Sequence, residues 1–383
     1  MKVPSVYDDI RPFEPEELQE AYGRLMDNEQ FRQVLSYLYP GVPAEAIAAK
    51  MSQCKTNLEF QLAFCYDFLK NLMAKVSKGI DFDVNALDVS KRYTFVSNHR
   101  DIVLDSALLD VLLWDAGFKT TCEIAIGDNL LSLPWVKDLV RLNKSFLVQR
   151  ALSPREMLMA SKKMAEYMHF VVKEKNDNIW IAQREGRAKD SNDRTQPAIL
   201  KMMAMGGEGS AVERLQQLHI VPLSISYEYD PCDFLKAAEF QLKRDVEGWK
   251  KTAADDVNSM RTGIMGYKGS VHYHCAPCID EYLQNLSPEI PKAKIFDVIA
   301  EHIDNEIFRN YRLYPSNYIA LDMVDDTAAY ASHYTEEDKK NFTDYINGQL
   351  SKIDIPGKDE AFLTACMLQM YANPARNYLS VKK

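Results

Sequence analysis

No run in this chain approaches the roughly 18 to 20 consecutive apolar residues that a membrane-spanning helix requires. If the protein meets a membrane, it is expected to lie on the surface. The opening, Met-Lys-Val-Pro-Ser-Val-Tyr-Asp-Asp, lacks the apolar segment of a signal peptide. Seven scattered cysteines, an odd number, offer no disulfide framework, and these absences together point to a reducing, cytoplasmic setting. Excess positive charge is missing as well. A formal net charge of −9 argues against a nucleic-acid binder, which would carry a basic face. There is no Gly-x-Ser-x-Gly elbow. Neither Gly263-Ile264-Met265-Gly266 nor Gly206-Gly207-Glu208-Gly209 leads into the Lys-Ser/Thr of a phosphate loop.

What is present is enough for a sizeable core. Across 383 residues the hydrophobic share is 46%, sufficient for one large domain or two medium ones. Charge is unevenly spread. Lys137 to Lys201 holds 14 Lys/Arg against 8 Asp/Glu, a candidate anion site, whereas Leu321 to Glu360 holds 4 against 10 and reads as a solvated surface. Residues 1–90 pattern as a helical unit, with helices expected over Glu16–Met26 and Glu29–Leu38. A third is expected after Asn57 as its N-cap, and Leu58, Leu62, Cys65, Leu69, Leu72 and Val76 form its apolar face. That face is suited to a core or to a groove for an acyl chain. A polar connection leads from Gly79 to the next segment.

Residues 91–292 alternate. Strands are expected at Tyr93–Val96, Thr121–Ile126, Phe146–Val148, Ile179–Gln183, Ile220–Tyr227 and Ser270–Cys275, with helices between them, the clearest over Pro154–Lys173. This predicts an α/β fold, a mostly parallel central sheet flanked by helices. Residues 293–383 turn helical again, over Ala293–Tyr311 and Glu336–Leu350, and form a C-terminal helical extension.

The stretch that organises the chain is Tyr93-Thr94-Phe95-Val96-Ser97-Asn98-His99-Arg100-Asp101-Ile102-Val103-Leu104-Asp105. A short buried strand breaks at Ser97 and Asn98, and an apolar helix opens near Asp105, a carboxylate suited to its N-cap. His99 falls on the strand-to-helix turn with Asp101 and Asp105 beside it. In α/β folds sites collect at the carboxyl ends of strands. An imidazole held by a carboxylate can accept a proton from a hydroxyl. Two later stretches add cations. One is the strand Phe146-Leu147-Val148 leading to Arg150. The other is Ile179-Trp180-Ile181-Ala182-Gln183-Arg184-Glu185-Gly186-Arg187-Ala188-Lys189, followed by Arg194, where a Gly turn lets backbone approach an anion that the cations neutralise. His272-Tyr273-His274-Cys275-Ala276-Pro277-Cys278 invites a metal reading. It is set aside because His272 and His274 share one strand face, Cys275 takes the other, and no second Cys pair follows.

These blocks, with His219-Ile220-Val221-Pro222-Leu223 as a fourth, resemble in order and spacing the glycerolipid acyltransferases, which acylate glycerol 3-phosphate or 1-acylglycerol 3-phosphate. The family's His and Asp stand five positions apart. Here that position is Leu104, so Asp105, or Asp101, takes the orienting role. The third block is one residue short, leaving Arg184 or Arg187 for the family's arginine. The resemblance implies an O-acyltransferase of phospholipid biosynthesis. His99 would be its general base, and Arg150, Arg184, Glu185, Gly186, Arg187, Lys189 and Arg194 its acceptor site. No cofactor or metal is implied. The donor would be acyl-CoA or acyl carrier protein, the acceptor a phosphorylated glycerol, and the protein would contact the inner face of a membrane peripherally. The alternatives are a non-catalytic lipid- or anion-binding protein on the same scaffold, or an acyl-thioester hydrolase.

Overall fold

The computed structural model describes residues 2–39, 41–131, 133–150 and 152–382. Seven strands form one sheet: β1 (Gly79–Asp83), β2 (Thr94–Ser97), β3 (Cys122–Gly127), β4 (Ser145–Val148), β5 (Asn178–Ala182), β6 (Ile220–Tyr227) and β7 (Ser270–Cys275). Their order is β1-β7-β6-β2-β5-β3-β4. Every pairing is parallel except β6 with β7. The carboxyl ends of β2 to β6 therefore share one edge of the sheet. The fold is α/β, a mostly parallel sheet with helices on both faces and helical regions at each end of the chain.

β2 lies at the centre and is buried along its whole length. Its alternation sends Val96 to one face, with Ile179, Ile181, Tyr167, Met168 and Ile303. Phe95 goes to the other, with Trp180, Val221, Leu104 and Leu108. The helix Ile295–Arg309, placed by sequence at the head of the C-terminal extension, packs on the first face through Ile299, Ile303 and Ile307. A separate cluster of Leu18, Leu25, Phe31, Ile47 and Phe60 holds the N-terminal helices and is joined by Leu142. The C-terminal helices have their own, around Phe342, Leu363 and Met367. Among the described residues no helix is long and apolar enough to cross a membrane.

Three local features differ from the sequence reading. β1 lies where the pattern indicates only a polar connection; it offers just Ile80 and Phe82 to the core and is an exposed edge strand, so its apolar signal is short. Thr56, not Asn57, caps the helix that begins at Asn57, its hydroxyl accepting the N–H of Glu59 at 3.1 Å, and a further helix, Ala44–Gln53, precedes it. A proline such as Pro222 favours an edge or bulge, yet β6 is internal. β7 begins pairing at Leu223 with Cys275, so the missing proline donor falls opposite Ala276, just past the end of β7. There the Pro222 carbonyl still accepts the N–H of Ala276 at 2.9 Å.

Candidate active site

Beyond Ser97 the chain stays attached to the sheet through a side chain. The Asn98 amide donates to the Ile225 carbonyl and its oxygen accepts the Ile225 N–H, both at 2.8 Å, so it acts as an extra rung between β2 and β6. The next residue is then held in a fixed position at the carboxyl edge. His99 Nδ1 lies 2.8 Å from Asp105 Oδ2, with the imidazole side chain 13% exposed and the carboxylate 1%. The Trp180 indole supports the ring edge-to-face, its centroid 5.5 Å away, and is itself held by a 3.0 Å bond from Nε1 to Ser97 Oγ.

The two carboxylates of the turn occupy different positions. Asp105 Oδ2 also accepts the N–H groups of Arg100 at 2.6 Å and Asp101 at 3.0 Å, while Oδ1 accepts the Tyr227 hydroxyl at 3.2 Å. It sits inside the Leu104–Asp115 helix and ties back to the turn; it does not cap the helix. Asp101 is the residue that receives the first free helical N–H groups, from Val103 at 2.9 Å and Leu104 at 2.8 Å. Burial pushes the Asp101 carboxyl above its ordinary range, and the neighbouring Asp105 adds to the effect. Space around it is tight. A Cβ at Gly263, in the helix Ala253–Met265, would stand 1.9 Å from Asp101 Oδ2.

Arg150 follows β4 and Arg184 to Lys189 follow β5, so these cations leave the same sheet edge as His99. Their environments differ. Arg150 Nη1 pairs with Glu185 Oε1 at 2.8 Å, and its guanidinium lies against Gly127, where a Cβ would come within 2.8 Å of Nε. Gly186 has φ +67°, left-handed backbone that favours glycine. Lys189 is paired with Glu239, which also takes Lys243 at 2.8 Å. Arg194 lies over the Phe308 ring at 4.6 Å and donates to Asn377 at 3.2 Å. Arg184 Nε and Arg187 Nη1, by contrast, are buried with no hydrogen-bond partner among the described residues.

Sequence reasoning missed the buried pair Arg100–Asp193, 2.7 Å apart and 6% and 0% exposed. No spacing signals it, because the partners come from different loops. Burial pushes the Asp193 carboxyl up, against the pull of Arg100, Lys236, Arg184 and His99. Arg187 acts likewise on Asp101 and Asp230. His99, Arg184 and Arg187 thus border one buried charged cluster. The last helix, Glu360–Val381, anchors the loop that continues beyond Arg187: Asn373 donates to the Asp190 carbonyl at 2.8 Å and Asn377 to Asn192 at 3.3 Å.

Among the described residues, the metal-capable group is His219, Cys278 and Asp280, with ligand atoms within 4.8 Å of one another. His219 precedes β6, and Cys278 and Asp280 follow the antiparallel β7, so the group lies at the opposite edge from His99. His272 and His274 instead face Asp81 at 3.1 Å and Asp83 at 3.4 Å on β1. A family model described as Acyltransferase matches residues 81–226, which run from within β1 almost to the end of β6 and include the His99 turn, Arg150 and the Arg184–Arg194 loop. No curated protein matches the chain.

Proposed function

We propose, from the match of residues 81–226 to the Acyltransferase model, that the protein is a glycerolipid acyltransferase and moves a fatty acyl group from a thioester to the hydroxyl of glycerol 3-phosphate or a lysophospholipid. The observation that carries the reading is the His99–Asp105 pair at 2.8 Å, on the sheet edge that also carries two half-buried arginines, each with one buried nitrogen whose donor is unused among the described residues. With Nδ1–H donated to Asp105, Nε2 is the basic nitrogen. It takes the proton of the acceptor hydroxyl as the oxygen attacks the thioester carbonyl. The imidazolium, held by Asp105, then returns the proton to the departing thiolate, and the acyl group has changed partners without an acyl-enzyme.

Arg184 and Arg187 have the donors to hold the acceptor's phosphate, and Arg150, Glu185 and Gly186 shape the loop above it. Lys189 and Arg194 position that loop through Glu239 and Asn377. The acyl donor is acyl-CoA or acyl carrier protein, and the protein works at a membrane surface. Thiol release from such donors, with and without acceptor, tests the reading. His99→Ala should abolish acceptor-dependent release while leaving the thermal melt unchanged. Arg187→Ala should raise the acceptor's KM roughly 10- to 100-fold, the loss of one charged hydrogen bond. Turnover retained in His99→Ala would exclude the mechanism, and release that needs no acceptor would make the protein a hydrolase.

A further inference from the structure

β6 enters the sheet and the antiparallel β7 leaves it at the edge opposite His99, and one backbone hydrogen bond joins the two segments there. The Ile279 N–H donates to the Ile220 carbonyl at 2.9 Å, and both side chains are fully buried. The residues flanking that bond, Cys278 and Asp280 on one segment and His219 on the other, are thereby held side by side. Their imidazole nitrogen, thiol sulfur and carboxylate oxygen lie within 4.8 Å of one another. Of the run His272 to Cys278, only Cys278 belongs to this group, because its partners come from a distant stretch of chain.

Three features separate the group from an ordinary surface ion pair. Asp280 Oδ2 stands 2.6 Å from His219 Nδ1, whereas Oδ1 is buried with no hydrogen-bond partner among the described residues. A buried oxygen left in that way calls for a bound ion or water. His219 has φ +48°, left-handed backbone that residues other than glycine rarely adopt and that gathers at functional sites. All three residues also line a half-open cavity of about 1200 Å³, so an ion has a way in.

The donor set selects the ion. Mg²⁺ and Ca²⁺ take oxygen ligands, whereas a thiolate with an imidazole suits Zn²⁺. The thiolate and the carboxylate balance its two charges. Bonds of about 2.0–2.3 Å in a tetrahedron set the ligand atoms about 3.3–3.7 Å apart. The 2.6 Å contact then opens by about 0.7 Å, and no other pair closes by more than about 1.5 Å, which small side-chain rotations supply. Three protein ligands leave a fourth position to water from the cavity, as in open zinc sites.

We infer that His219, Cys278 and Asp280 bind one Zn²⁺ ion, which displaces the proton between His219 and Asp280 and the thiol proton of Cys278. The ion clasps the loop after β7 to the entry of β6. Lying at the edge opposite His99, the site is independent of acyl transfer.

Cobalt(II), a coloured stand-in for zinc, tests this on the full chain after treatment with chelator. One equivalent should bind and give a thiolate-to-cobalt charge-transfer band, and one equivalent of Zn²⁺ should abolish it. Cys278→Ser should lose the band, while Cys366→Ser, in the last helix, should keep it. His219→Gly suits the left-handed backbone and should weaken cobalt binding at least about tenfold; it carries the test should Cys278→Ser fold poorly. Zn²⁺ at about a hundred times its Kd should raise the thermal melt by about 3 °C, and Mg²⁺ at the same concentration should not. The site is overturned by a wild type without the band, a band that survives in folded Cys278→Ser, or an affinity unchanged in His219→Gly. A melt that Zn²⁺ leaves in place, or that Mg²⁺ raises equally, overturns it as well.

Discussion

Asp105→Asn separates the charge of the carboxylate from its hydrogen bonds. Asp105 Oδ2 accepts three N–H groups, from His99 at 2.8 Å, Arg100 at 2.6 Å and Asp101 at 3.0 Å, and Oδ1 accepts one hydroxyl, from Tyr227 at 3.2 Å. An amide oriented with its oxygen on the turn keeps the three N–H bonds. Its NH₂ then meets the Tyr227 hydroxyl, which can rotate to accept. The fold should thus lose about 1 kcal/mol or less, one weakened hydrogen bond. What disappears is the negative charge that, in the proposed mechanism, faces the imidazolium formed as His99 takes its proton. At 2.8 Å and an effective dielectric of about 20, that attraction has a ceiling of about 6 kcal/mol. The amide dipole recovers part of it, leaving about 3–4 kcal/mol, or two to three orders of magnitude in kcat. The assay is thiol release at saturating donor and acceptor, with a thermal melt beside it. Asp101→Asn is the control. Its oxygen still receives the Val103 and Leu104 N–H groups, so kcat should stay within about tenfold. An Asp105→Asn enzyme within tenfold of wild type, or an Asp101→Asn enzyme more damaged than it, would refute the assignment of the orienting carboxylate.

Gly263→Ala should destabilise by about 1–3 kcal/mol, because the new Cβ would stand 1.9 Å from Asp101 Oδ2 and force the turn's capping carboxylate aside; an unchanged melt would mean that the helix simply shifts. Arg100→Met leaves the fully buried Asp193 without its 2.7 Å partner and should cost about 3–5 kcal/mol in urea unfolding. A loss below about 1 kcal/mol would show that the pair is dispensable to the fold. Burial pushes the Asp110 carboxyl up to about 7. In the unfolded chain it titrates near 4, so the folded state holds a proton that the unfolded state releases, and stability declines as pH rises from about 4 through about 7. Asp110→Asn should lack this decline. Parallel pH-dependent slopes for the two proteins in denaturant titrations would show that another group causes it.

The parallel sheet was legible because its buried strands are β-branched or aromatic runs separated by helical periods, and Ile220–Tyr227 and Ser270–Cys275 have the bounds expected of them. β1 was not, because an edge strand needs only Ile80 and Phe82 to hold it. The His99 turn could be located from the break at Ser97-Asn98. Which carboxylate faces the imidazole could not, since the answer depends on the helix starting at Leu104, one residue before Asp105. The cations after β4 and β5 follow from topology once the strands are assigned. Sequence does not reveal that Lys189 and Arg150 are engaged by Glu239 and Glu185 while Arg184 and Arg187 keep unused donors, because those partners meet only through tertiary packing.

The anchoring of the Arg184–Arg194 loop by the last helix has a consequence for how the protein is made. Asp190 meets Asn373 across 183 residues of chain. At roughly 5–20 residues per second, a ribosome would leave that loop without its anchor for about 10–40 seconds after the loop emerges. During that interval the His99 turn and its neighbouring strands are already available to pair, while the arginine-bearing segment still lacks its final constraint. A nascent chain stalled before the last helix would thus carry the His99–Asp105 pair while the loop of Arg184 to Arg194 still lacks its anchor.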